Sequence, residues 1–184
     1  MDATRTLMEE HEVIKRVLVS LEAEAQRLNR NEPVRPGFFT DSAAFIKGFA
    51  DGCHHRKEEG VLFVAMVDAG LPRQVGPIAM LMAEHEQGRV YTRGMREAAD
   101  RLEAGDPAAR DAVVHNALGY VALLRQHIAK ENGVLFPMAD EMIPLKKQDA
   151  VAVDFERVEH EETGEGVHGK YLALAEALER EAGS

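Results

Sequence analysis

Four runs of about 30 residues carry apolar side chains at alternating steps of three and four, and each run stops at glycine or proline. That spacing is one face of an α-helix and leaves the chain little else to fold into. In the first run, residues 2–30, the face is Leu7, His11, Ile14, Leu18, Leu21, Ala25 and Leu28. The stretch from Asn29 to Gly37, with Pro33 and Pro36, closes it. The second run spans residues 40–69, with Thr40 or Asp41 as its N-cap, and Gly70-Leu71-Pro72 ends it. The third, residues 73–104, carries Ile78, Leu81, His85, Gly88, Thr92, Met95, Ala99 and Leu102. Gly105-Asp106-Pro107 then supplies a stop, an N-cap and a proline for the first helical position. The fourth reaches residue 141 along Val113, Ala117, Tyr120, Leu124, His127, Glu131, Val134 and Met138. Shorter helices follow over residues 145–160 and, after Thr163-Gly164-Glu165-Gly166, to residue 181.

The expected fold is all-α. Residues 1–141 form an antiparallel, up-down-up-down four-helix bundle, and residues 142–184 form a C-terminal helical extension packed on it. Composition agrees: Trp is absent and aromatics are only 5%, so Ala, Leu, Val and Met build the core, a mixture that suits helices better than sheets. One helix is irregular. Ile46, Ala50, His54 and Glu58 connect only by repeated steps of four, which drift around a straight helix, so a local distortion is expected there.

Polar residues interrupt the apolar stripes. His11, His85, His127 and Glu131 stand where a core-facing Leu belongs, and a buried ionisable group is costly unless paired or ligated. The second helix adds His54 and Glu58, four residues apart and so on one helical face. An internal repeat selects these residues. His54-His55-Arg56-Lys57-Glu58-Glu59-Gly60-Val61-Leu62-Phe63 aligns with His127-Ile128-Ala129-Lys130-Glu131-Asn132-Gly133-Val134-Leu135-Phe136. It pairs His54 with His127, Lys57 with Lys130 and Glu58 with Glu131. Met8-Glu9-Glu10-His11-Glu12 likewise matches Met82-Ala83-Glu84-His85-Glu86. The chain thus reads His, HxxxE, His, HxxxE, one element per helix. Four imidazoles and two carboxylates suit two non-haem iron ions, bridged by oxo or hydroxo when oxidised, with two Glu bridges holding them roughly 3.5–4 Å apart. A single such His reads as a satisfied core histidine; six donors on four successive helices favour metal.

These motifs, His11, HHRKEEGVLF from His54, EHE around His85 and HIAKENGVLFP from His127, resemble the hemerythrin-like, HHE cation-binding family. The resemblance covers residues 1–141. It implies a four-helix bundle around a di-iron centre, with His11, His54, His85 and His127 as terminal ligands and Glu58 and Glu131 as bridges. Oxygen-carrying hemerythrins have a second His four residues after the third-helix ligand; here that position is Arg89. The remaining four-His set is similar to di-iron proteins of nitrosative-stress iron repair.

The other candidates read more simply. His55 and His115 fall off the inward stripes and are expected at the surface or behind the ligands. His160 lies among glutamates and is expected in solvent. Glu165 and His168 form the lone Glu-x-x-His, short of the two such motifs a ferritin-type site needs. His168 could approach the centre, but packing is the simpler role, as it is for Tyr120. Cys53 is expected as a small buried apolar residue.

A net charge of −10 argues against a nucleic-acid partner, and no apolar run reaches the roughly 20 residues of a membrane span. One cysteine permits neither an internal disulfide nor a Cys-based zinc finger. The N-terminus, charged early and without an apolar stretch, points to the cytoplasm. The expected function is a metal-binding protein that binds or senses O2, NO or peroxide, or handles iron under oxidative or nitrosative stress. The alternatives are a di-iron enzyme with peroxidase-, catalase- or NO-reducing-like turnover, and an iron-responsive module for a protein partner whose identity the sequence leaves open.

Overall fold

The computed structural model describes residues 1–163 and 166–183. They fold into an all-α bundle, without strands among the described residues. Helix α1 is Asp2–Asn29. Helix α2 is a continuous rod over residues 36–68 that begins as Pro36–Phe45 and ends as Phe63–Asp68. Helix α3 is Pro77–Glu103. Helix α4 covers residues 107–142, opening with the 3-10 turn Pro107–Ala109 and continuing as Arg110–Lys130 and, after a distortion, Phe136–Met142. The extension supplies α5, Leu145–Arg157, and α6, Val167–Ala182.

The α1 stripe is buried as its spacing predicts: Leu7, His11, Ile14, Leu18, Leu21 and Ala25 are at most 2% exposed. Asp106 caps α4 by accepting a hydrogen bond from the Ala108 N–H at 3.0 Å, as read from Gly105-Asp106-Pro107. Two starts differ from expectation. α2 opens at Pro36 rather than residue 40, with extended Arg35 before it, and α3 opens at Pro77 rather than 73, after Gly76 at φ 77°. A proline that breaks one helix is also preorganised for the first turn of the next.

The distortion expected in α2 is a π-helix over Ile46–His55, with a second at Glu58–Leu62. A π-turn holds more than four residues, so side chains repeating at steps of four stay on one face. Helix α4 carries its own π-turn, Glu131–Leu135, at the aligned position of the repeat.

Around the bundle, α2 packs on α3, α3 on α4 and α4 on α1, whereas α1 and α2 touch each other little. Helix α6 covers that seam, contacting both. Tyr171 of α6 lies where a Cβ on Gly48 would stand, 1.9 Å away, so only glycine admits the ring at this crossing. No helix of the described residues is long and apolar enough to cross a membrane.

Candidate metal centre

His11, His54, Glu58, His85, His127 and Glu131 converge at the middle of the bundle, each at most 2% exposed. Two groups of donors form there, each with its ligand atoms within 4.8 Å of one another. One is His11, His54, Glu58 and Glu131. The other is His55, Glu58, His85 and His127. Glu58 belongs to both. Glu131 also spans them: one carboxylate oxygen is 3.3 Å from His11 Nε2 and the other 3.0 Å from His127 Nε2.

The imidazoles are oriented from behind. Glu10 holds His54 Nδ1 at 2.9 Å, Glu59 holds His85 Nδ1 at 2.7 Å, and Glu84 holds His127 Nδ1 at 2.9 Å. His11 Nδ1 meets Asn132 Oδ1 at 2.8 Å. With the proton on Nδ1 donated outward, each Nε2 lone pair faces the centre, which is the tautomer a metal requires. The repeat organises this outer layer too. Glu10 and Glu84 are aligned, as are Glu59 and Asn132. Lys57 and Lys130 each hold the carboxylate behind a histidine: Lys57 bonds Glu10 at 2.5 Å, and Lys130 pairs with Glu84. The aligned Phe63 and Phe136 stack on His85 and His11. Lys57 is fully buried and also meets Glu159, 2.9 Å away, from the extension.

The inner atoms lack partners. Glu58 Oε1 and Oε2, Glu131 Oε1 and Oε2, His11 Nε2, His54 Nε2 and His55 Nε2 are buried without a hydrogen bond. Each such atom costs about 1–3 kcal/mol unless compensated. Metal ions held by the two donor groups would satisfy them, and the mixed imidazole–carboxylate set is one that transition metals take. Electrostatics favour the same occupant. Burial, then the neighbouring His11, lowers the His54 pKa from 6.5 to about 4, and burial with His85 nearby takes His55 well below its ordinary value. Both rings are therefore neutral near pH 7, as coordination demands. Burial and the charge of Glu131 push Glu58 well above the usual carboxylate range. For Glu131, burial is outweighed by the imidazoles of His11, His127 and His85 close beside it, which hold it low. Two facing carboxyls thus share the cost of one charge, which a metal ion would lift.

His55 is a correction. Expected at the surface or behind the ligands, it is 4% exposed and stacks on His85 with ring centroids 3.9 Å apart. The repeat hid it by aligning it with Ile128. In an α-helix consecutive residues lie 100° apart, whereas the wider π-turn lets His54 and His55 both face inward. The centre therefore gathers five imidazoles. Arg89, at the position where oxygen carriers have their second histidine, instead bonds Asp51 and Glu59, both at 2.7 Å.

His115 and His160 are exposed, as expected. His168 does not reach the centre; it joins Glu10, Cys53 and Glu159 one layer behind His54. Glu165 lies outside the described residues. Tyr120 is 1% exposed and its hydroxyl has no partner, but it is not one of the converging donors. Cys53 is buried, and burial raises its thiol to about 11, leaving it protonated and inert.

Comparison with known proteins agrees with this geometry. The chain is 29% identical over 163 residues to uncharacterized proteins of Mycobacterium bovis and Mycobacterium tuberculosis, matching 89% of its own length and 63% of theirs. It thus spans less than two thirds of these curated relatives. No solved structure matches. The hemerythrin HHE cation-binding domain matches residues 2–139, whose second and fourth helices carry the HxxxE pairs and whose first and third carry His11 and His85. The chain belongs to the hemerythrin HHE cation-binding family.

Proposed function

We propose that this protein is a non-haem di-iron protein that binds or senses O2, NO or peroxide, or handles iron under oxidative or nitrosative stress, in the cytoplasm. In this reading His11 and His54 on one side and His55, His85 and His127 on the other, with Glu58 and Glu131 between them, would hold the metal. The supporting observation is the convergence of partnerless inner atoms whose histidines are already held at Nδ1 from behind. The iron would supply the redox and small-ligand chemistry. The chain's own residues do the rest. Glu10, Glu59, Glu84 and Asn132 fix the rings. Phe63 and Phe136 keep the imidazole faces dry.

Metal analysis of anaerobically purified protein, with its visible spectrum before and after air, tests this. Two irons per chain and a diferric absorption band on oxidation are expected. A single zinc, or iron that leaves on desalting, would sink the proposal.

A further inference from the structure

Beside the centre lies a cleft of about 250 Å³ between α2, α3 and α4. Its inner wall includes His55, His85 and Tyr120, and Lys47, Arg93 and Arg96 stand exposed at its rim. Among the described residues these three cations have no carboxylate partner. Arg89 lines the cleft between them, bound to Asp51 and Glu59, and Asp51 is the one carboxylate in the lining. Four cationic side chains against one carboxylate invert the sign of a chain whose net charge is −10. Such a concentration in a low-dielectric recess focuses potential and draws counter-ions inward. Neutral O2, NO or hydrogen peroxide gain little from it.

At the inner end the Tyr120 hydroxyl is buried and partnerless, although a phenol is a ready donor. The Nε2 of the adjoining His55 is partnerless as well, while its Nδ1 lies 3.5 Å from Asp51 Oδ1. A buried donor left unsatisfied next to a cationic recess is what an anion's oxygen would complete. The volume limits its size, since ligands of drug or cofactor dimensions occupy roughly 300–1,000 Å³.

We propose that this cleft is a binding site for a small inorganic oxyanion of nitrite size, drawn in by Lys47, Arg93 and Arg96 and received by the Tyr120 hydroxyl beside His55. The inference deepens the di-iron reading and rests on it for what the anion meets beyond His55; the cleft itself is built from side chains alone.

Calorimetric titration with sodium nitrite, on iron-loaded and on chelator-stripped protein at low and high salt, tests it. Binding is expected in both forms, tighter in the loaded one, and weakening as salt rises. Arg93→Gln with Arg96→Gln should weaken nitrite about tenfold and flatten the salt dependence. Lys47→Gln should act in the same direction, and Tyr120→Phe should cost several-fold at every salt concentration. Arg180→Gln, far along the chain on α6, should change neither. Nitrite binding that is absent from both forms, or indifferent to the arginine and Tyr120 variants, overturns the proposal. Protein that takes up no iron while its stripped form still binds nitrite through Arg93 and Arg96 would refute the di-iron reading and leave the anion site standing.

Discussion

Glu58 and Glu59 are neighbours with the same charge and opposite duties. Glu58 is fully buried and its two oxygens point at both donor groups, whereas Glu59 is about a quarter exposed and bonds the back of His85 while receiving Arg89. Spacing alone could not separate them, because each lies four residues after a histidine; the Gly-Val-Leu-Phe alignment could. Glu58→Gln should therefore lose at least one metal ion per chain, measured by metal analysis after gel filtration. Glu59→Gln should keep the stoichiometry and lower affinity about 10- to 100-fold, the usual consequence of loosening a group behind a ligand. Reversal of that order would mean the register of α2 at the centre is wrong. A pH effect belongs at this scale too. His54 has a pKa of 6.5 when free and about 4 in the metal-free fold, lowered chiefly by burial. Between those values only the unfolded chain takes up the proton, so stability falls as pH falls through that window. One such group accounts for roughly 3 kcal/mol at 1.36 kcal/mol per unit. Urea midpoints of metal-free protein should drop steadily from neutral pH towards pH 4, and a flat profile would contradict the burial of a neutral ring.

Both HxxxE motifs run into π-turns, Glu58–Leu62 in α2 and Glu131–Leu135 in α4, and α2 carries the further one at Ile46–His55. The steps of four among Ile46, Ala50, His54 and Glu58 announced a distortion. They could not say that it widened the inward face enough to admit His55, because the α-helical angle assigns that residue to another side. The helices themselves were legible, since their stripes and stops are local. Their starts at Pro36 and Pro77 were not, because the same residue punctuates both the end of one helix and the beginning of the next. The outer layer of Glu10, Glu84, Glu59 and Asn132 was present in the repeat but unread: it joins residues on different helices, and only packing says which carboxylate meets which ring. The π-turn gives a direct test. Deleting Gly52 removes a residue from Ile46–His55 and lets α2 tighten towards α-geometry, turning one half of the rod against the other by about 100°. The bundle should remain helical by circular dichroism with its metal content abolished, because His54, His55 and Glu58 can no longer meet their partners on α1, α3 and α4. Retention of both ions would show that the π-turn does not set the ligand register.

Across the whole molecule the donors form a polar layer between two apolar clusters. One cluster extends from Ile14 and Leu18 through Phe38, Phe49, Met95 and Leu124 to Leu178. The other gathers Leu7, Leu62, Met66, Leu81, Phe136 and, from the extension, Phe155. Helix α6 packs against the first and α5 against the second, and Lys57 ties the layer to the extension through Glu159. Without a cation this layer is a seam of partnerless groups running across the middle of the core; with one, it is a cross-link among four helices. Metal therefore acts on folding as a ligand of the native state alone. At a free concentration a thousand times its dissociation constant such a ligand adds about 4 kcal/mol. For a chain of this length each kcal/mol moves the midpoint by roughly 2–4 °C, so iron-loaded protein should melt on the order of 10 °C above chelator-stripped protein. The location of the effect is as informative as its size. The cluster around Leu62, Phe136 and Phe155 contains fewer residues, and loss of the cross-link should free it first. Hydrogen exchange in the stripped protein should rise most in residues 58–68, 131–142 and 145–157, while amides beside Leu18, Phe49 and Leu124 stay protected. A uniform rise across both clusters would mean that the bundle opens as one unit and that the polar layer is no seam at all.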